Sequence, residues 1–150
     1  MEPVVKTVDV DTGVREAFEF FTGAAATWWP PHQVIVAGER ERIVFEPRVG
    51  GRWYESATDG AEADWGRVLA WEPPYRLAAT WRIDGRWQHL PDDEGASEIE
   101  VSFTPLGPGR TRVQVAHVAL ERLGEAAAGM RAALDKPGLG ATLGPYAAAL

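Results

Sequence analysis

Hydrophobic and polar positions alternate with a period of two over Pro3 to Val10, a valine-rich stretch that reads as a strand. The period then lengthens. Val14, Ala17, Phe18 and Phe21 fall at i, i+3, i+4 and i+7, the apolar face of a helix, with Gly23 as its stop. A further short helical piece over Ala24 to Trp29 ends at Pro30-Pro31, because proline lacks an N–H and crowds the preceding residue out of helical geometry. From residue 40 the period of two returns. Ile43 and Phe45, Arg52 to Ala57, Trp65 to Trp71, Tyr75 to Ile83, Ile99 to Phe103 and Thr111 to His117 predict about six consecutive strands, divided by Gly-, Pro- and Asp-rich turns. Helical spacing resumes in the last third. Leu123, Ala127, Met130 and Leu134 form one stripe; Leu139, Leu143, Tyr146 and Leu150 form another beyond an interruption at Lys136-Pro137-Gly138. Pro145 inside the second stripe is expected to kink it, since the Ala141 carbonyl loses its donor.

Consecutive strands joined by short turns pair antiparallel. The order therefore predicts an α+β fold in one domain over 1–150. A curved antiparallel sheet of about six to seven strands wraps around a long C-terminal helix, with two short helices after the first strand. Such a sheet leaves a space between itself and the helix, and spaces of this kind hold ligands.

Composition sharpens this picture at one point. Tryptophan stands at positions 28, 29, 53, 65, 71, 81 and 87, all in the central stretch of a 150-residue chain. Indole brings a wide rigid surface and one N–H that needs a partner, which suits a cavity wall as well as a core. A net charge of −7 excludes a basic stripe for nucleic acid or for an anionic membrane surface. No window approaches the ~20 apolar residues of a membrane span. The start, Met-Glu-Pro-Val-Val-Lys, has no basic region followed by an apolar run, so a cytoplasmic location is expected. The chain contains no cysteine, which removes disulfides, thiol nucleophiles and cysteine-ligated zinc.

Candidate chemistry is sparse. Gly138 to Gly144 superficially resembles a dinucleotide loop but has no strand before it and no βαβ unit. His32, His89 and His117 share no helical turn, and no Gly-x-Ser-x-Gly elbow exists, so neither a metal nor a cofactor nor a serine nucleophile is expected. His117 alternates with Val113 and Val115 and should face inward, where an imidazole can exchange a proton. Glu55 shares a face with Trp53, so it is either a buried carboxylate or a solvated one. The acidic run Asp92-Asp93-Glu94 reads as a solvated loop tip. Trp65 and Trp71 alternate with Gly66, Val68 and Ala70, on the side of Arg67 and Leu69. An outward apolar face there would make a homodimer plausible.

Several phrases in order, Trp28-Trp29-Pro30 with His32, Phe45-Glu46-Pro47-Arg48-Val49-Gly50-Gly51, Trp65 through Pro74, Thr80-Trp81, Phe103-Thr104-Pro105 and Thr111-Arg112-Val113 leading to His117, carry a resemblance. The chain resembles the START-like (SRPBCC) helix-grip superfamily, in the branch named for homologues of the activator of the heat-shock protein 90 ATPase. Relatives often have Gly-Trp where this chain has Gly138-Leu139, a change expected to reshape the cavity. The expected ligand is a hydrophobic or aromatic small molecule. Its cavity candidates are Trp28, Trp29, Trp53, Glu55, Leu77, Trp81, Phe103, His117 and Leu143. The alternatives are a cavity enzyme of polyketide-cyclase or hydrolase type, with His117 and Glu55 as base and acid, and a chaperone partner as the family name implies.

Overall fold

The computed structural model of the chain describes residues 1–30, 33–135 and 143–150. The alternating valines form strand β1 (Val4–Val10), and the apolar stripe after it forms helix α1 (Val14–Gly23), which buries Ala17, Phe18 and Phe21. Helix α2 (Ala25–Trp28) stops at Trp29, whose extended backbone (φ −62°, ψ 131°) is the conformation that a following proline favours.

Strands β2 (Arg40–Phe45), β3 (Arg52–Ala57), β4 (Glu62–Glu72), β5 (Arg76–Trp81), β6 (Ser97–Gly107) and β7 (Arg110–Val118) come next. All pairings are antiparallel, in the spatial order β1-β7-β6-β5-β4-β3-β2. This is the expected α+β fold with a curved antiparallel sheet, at seven strands. The C-terminal helical region is a 3₁₀ segment (Leu120–Ala126), helix α3 (Ala127–Asp135) and helix α4 (Leu143–Ala149). Gly124, at φ 68° and ψ −134°, interrupts the first of these, so the expected long helix arrives in pieces. Pro145 stands in the first turn of α4, where its missing N–H costs nothing. The expectations about Gly138-Leu139, the Ala141 carbonyl and His32 fall outside the described residues. No helix of the described residues is long and apolar enough to cross a membrane.

Helices α1 and α2 plug one end of the curved sheet. Phe103 meets Phe18 and Phe21 at centroid distances of 5.2 and 5.7 Å, and Leu77 pairs in register with Val101 beside it. Helix α4 is fastened to this plug by Tyr146, whose buried hydroxyl donates to the Ala17 carbonyl at 2.7 Å. The other end of the sheet is left open.

Two irregularities in β4 decide which tryptophans face inward. Pairing with β3 shifts between Trp53↔Gly66 and Tyr54↔Asp64, and pairing with β5 shifts between Val68↔Ala79 and Ala70↔Ala78. Each bulge adds one residue and reverses the alternation. Trp65 and Val68 are therefore buried while Arg67 and Leu69 point outward, and Trp71 turns back in to meet Phe18 edge-on at 5.2 Å. The shared Trp65–Arg67–Leu69–Trp71 side expected from strict alternation does not exist. The outward apolar surface of this strand reduces to Leu69. At Gly66 the backbones approach so closely that a β-carbon would lie 1.8 Å from the Thr80 carbonyl oxygen.

The acidic run also differs from expectation. Asp92 and Glu94 are exposed, but Asp93 accepts from Thr80 Oγ1 at 2.7 Å, Arg82 Nε at 2.9 Å and Arg67 Nε at 3.0 Å. Partial burial pushes its carboxyl up, and these donors, Arg82 foremost, outweigh that and hold it at about 2. It ties the long β5–β6 connection down to the outer side of β4 and β5.

Candidate functional site

The open end of the sheet encloses a cavity of about 720 Å³, inside the ~300–1,000 Å³ range of small-molecule sites. Its wall is built mainly from indoles. Trp53 stacks nearly parallel on Phe45 (5.1 Å, 11°) and on Trp65 (5.8 Å, 23°), and Trp29 closes on both Trp53 and Trp65 at 5.8 and 5.6 Å. Across the cavity Trp81 stands edge-on to His117 at 5.2 Å, with Trp87 beyond it at 6.2 Å. Ile83, Ile99 and Val115 line the sheet between them, and Leu134 and Leu143 contribute from α3 and α4. Polar groups enter from Lys6, Gln33, Gln88, His89 and His117, and no carboxylate lines the wall among the described residues.

The sequence candidates divide according to where they sit along the strands. Trp29, Trp53, Trp81, His117 and Leu143 line the cavity. Leu77 and Phe103 do not. They face the same concave side, but four residues along the strand from Trp81 and Ile99, a step of about 13 Å that carries them under α1. Trp28 also lies outside the wall. It is core, against Phe21 and Tyr146 at 5.0 and 5.2 Å, with its N–H reaching the Phe20 carbonyl at 3.3 Å. Replacing Trp28 with leucine is expected to cost about 2 kcal/mol in urea unfolding and leave ligand affinity unchanged, whereas Trp29→Leu is expected to weaken ligand binding.

Glu55 lies on the concave side and is fully buried, yet it is not part of the wall. Its Oε2 accepts from the backbone N–H groups of Ile35 and Val36 at 2.8 and 3.0 Å; its Oε1 accepts from Trp65 Nε1 at 2.7 Å and faces Arg40 Nη1 at 3.7 Å. The expected acid partner of His117 is thus committed to holding residues 35–36 and Trp65 in place. Arg40 continues the same fastening, donating to the carbonyls of Gln33 (2.6 Å) and Trp29 (3.1 Å).

His117 is the inward imidazole that the alternation predicts. Its Nδ1 is buried with no hydrogen-bond partner among the described residues, as are the indole nitrogens of Trp29 and Trp53. Burial in this apolar surrounding lowers its pKa to about 4, so the ring is neutral at pH 7. Among the described residues no group of three or more His, Asp or Glu side chains is arranged to hold a metal ion. Sequence reasoning missed Trp65 and Trp87 as wall residues: the first is reversed by a bulge, and the second lies in a polar connection with no periodicity to read.

Residues 11–137 match the family described as activator of Hsp90 ATPase homologue 1-like protein. Among solved structures, the chain is similar to an anthrahydroquino-γ-pyrone synthase, Txn09, determined as a complex. Identity is 53%, over 100% of this chain and 97% of that one, with a TM-score of 0.68. It is similar also to CalC, a self-sacrificing resistance protein from Micromonospora echinospora, at 30% identity over 98% and 92% of the two chains, with a TM-score of 0.72. The Aha1 dimer of Colwellia psychrerythraea, at 14% identity over 100% and 96% and a TM-score of 0.63, shares the fold alone. No curated protein sequence matches it.

Proposed function

This chain belongs to the activator of Hsp90 ATPase homologue 1-like family, and within that family we propose that it takes a flat, polycyclic phenol of polyketide type into its cavity and closes an oxygen heterocycle on it. One observation carries the reading: five indoles and the buried imidazole of His117 converge on one cavity of about 720 Å³. The likeness to a γ-pyrone synthase at 53% identity supports it.

The energetics suit such a ligand. A tricyclic aromatic that hides about 400 Å² gains about 10 kcal/mol at ~25 cal/mol/Å², before the cost of immobilising it. The remainder is in the range of micromolar affinity. Stacked and edge-on indoles favour planar rings over globular ones.

The chemistry needs one proton carrier. The substrate would carry a phenolic O–H beside a side-chain 1,3-diketone. His117 takes the phenolic proton as the oxygen attacks the distal carbonyl carbon and a C–O bond forms. The alkoxide so formed takes that proton back from His117 to become a hemiketal. The hemiketal then loses its hydroxyl together with a proton from the carbon between the two carbonyls, a C=C bond forms and one water leaves. The product is therefore the substrate minus one water, a γ-pyrone, with no change of oxidation state. Among apolar walls the imidazole holds its proton weakly, but a developing phenolate beside it offsets the burial penalty of the imidazolium. The geometry of the wall lets the indoles hold the ring system flat while the oxygen closes.

A second reading, binding without chemistry, draws on the absence of any carboxylate among the described wall residues. Titration with 1-hydroxyanthraquinone, followed by tryptophan fluorescence, tests what the two readings share. Saturable quenching in the micromolar range is expected; no quenching and no thermal shift would remove both.

A further inference from the structure

Trp87 combines two unfavourable features in one residue. It adopts a left-handed backbone (φ 62°), a region that bulky side chains rarely enter, and its side chain is 48% exposed although it borders the cavity. Glycine would relieve the first and a charged residue the second.

The conformation is fixed by its surroundings. Asp84 builds the turn: its Oδ1 accepts from the backbone N–H groups of Arg86 and Gln88 at 2.8 and 2.9 Å, and its carbonyl accepts from the Trp87 N–H at 3.1 Å. The Asp84 N–H donates in turn to the Gln88 carbonyl at 2.9 Å, and Ile83 and His89 bridge the base of the loop. The turn holds the indole at the mouth, edge-on to Trp81 at an interplanar angle of 82°. A planar ligand lying flat on Trp87 would therefore meet Trp81 edge-to-face, the arrangement aromatic pairs prefer. Trp81 in turn stands edge-on to His117.

We infer that Trp87 is a specificity-determining residue, the outer stacking platform that selects flat aromatic ligands and sets their plane relative to Trp81 and His117. The inference rests on the reading of the cavity as a site for a polycyclic aromatic. A strained, half-exposed indole is unfavourable by itself, and a ring that covers its free face offsets that cost.

Calorimetric titration of 1-hydroxyanthraquinone into wild type, Trp87→Gly and Trp87→Phe tests it, alongside the melting temperature of each. Trp87→Gly is expected to weaken binding about tenfold while its melting temperature stays equal or rises, because glycine accepts the left-handed φ. Trp87→Phe, which keeps an aromatic face, is expected to stay within about threefold of wild type. Wild-type affinity in Trp87→Gly, a phenylalanine variant as weak as the glycine one, or a melting temperature that falls together with affinity would overturn the inference and leave the cavity reading intact. No binding by wild type would instead overturn the cavity reading, and the role of Trp87 with it.

Discussion

Glu55→Leu is expected to cost about 3–5 kcal/mol in urea unfolding, or to prevent folding altogether. The carboxylate is fully buried and receives two backbone N–H groups and one indole N–H, with the Arg40 guanidinium beside it. Leucine fills the space but leaves Ile35 N, Val36 N and Trp65 Nε1 without an acceptor. It also leaves Arg40, whose side chain is only 10% exposed, without a counter-charge. Glu55→Gln keeps the shape and one acceptor oxygen, and is expected to lose about half as much. In that variant residues 33–35 and Trp65, which line the cavity, lose part of their fastening, so affinity for a planar ligand should fall more than stability alone predicts. A leucine variant within about 1 kcal/mol of wild type would show that the buried carboxylate is dispensable.

The second large effect is expected at His117. Its folded pKa of about 4 lies below the unfolded value of 6.5. Above pH 6.5 both states hold a neutral ring and the group contributes nothing to pH dependence. Between pH 6.5 and 4 the unfolded chain takes up a proton that the folded chain refuses, so stability falls, by about 3 kcal/mol once pH is below both values. His117→Phe removes this loss. Urea unfolding of both proteins at a series of pH values isolates the effect: the variant-minus-wild-type difference should be flat above pH 6.5 and grow in the variant's favour below it. Parallel curves would mean that the imidazole is hydrated and titrates normally. The same variant should still bind a hydroxyanthraquinone and should lose ring closure by about 10²–10⁴-fold, the usual contribution of a general base.

The strand and helix pattern was legible because period two and period 3.6 are local. The inward direction of His117 was legible for the same reason. What alternation does not carry is position along the strand. Leu77 and Phe103 face the cavity side but sit beneath α1, and only the packing of that helix shows it. Nor does alternation survive a bulge, which is why Trp65 and Trp71 do not share a side with Arg67 and Leu69 as expected. The surroundings of two acidic groups were hidden for a third reason. Asp93 and Glu55 look like a loop-tip charge and a candidate acid until their donors arrive from 10 to 26 residues away in the chain.

The most direct measurement incubates the purified chain with a hydroxyanthraquinone bearing an ortho side-chain 1,3-diketone and follows the product by mass spectrometry. Wild type should convert it to a γ-pyrone lighter by one water, and His117→Phe should bind it yet return it unchanged. A wild-type sample in which the ligand is bound but cyclises no faster than in buffer would contradict ring closure and leave a binding protein.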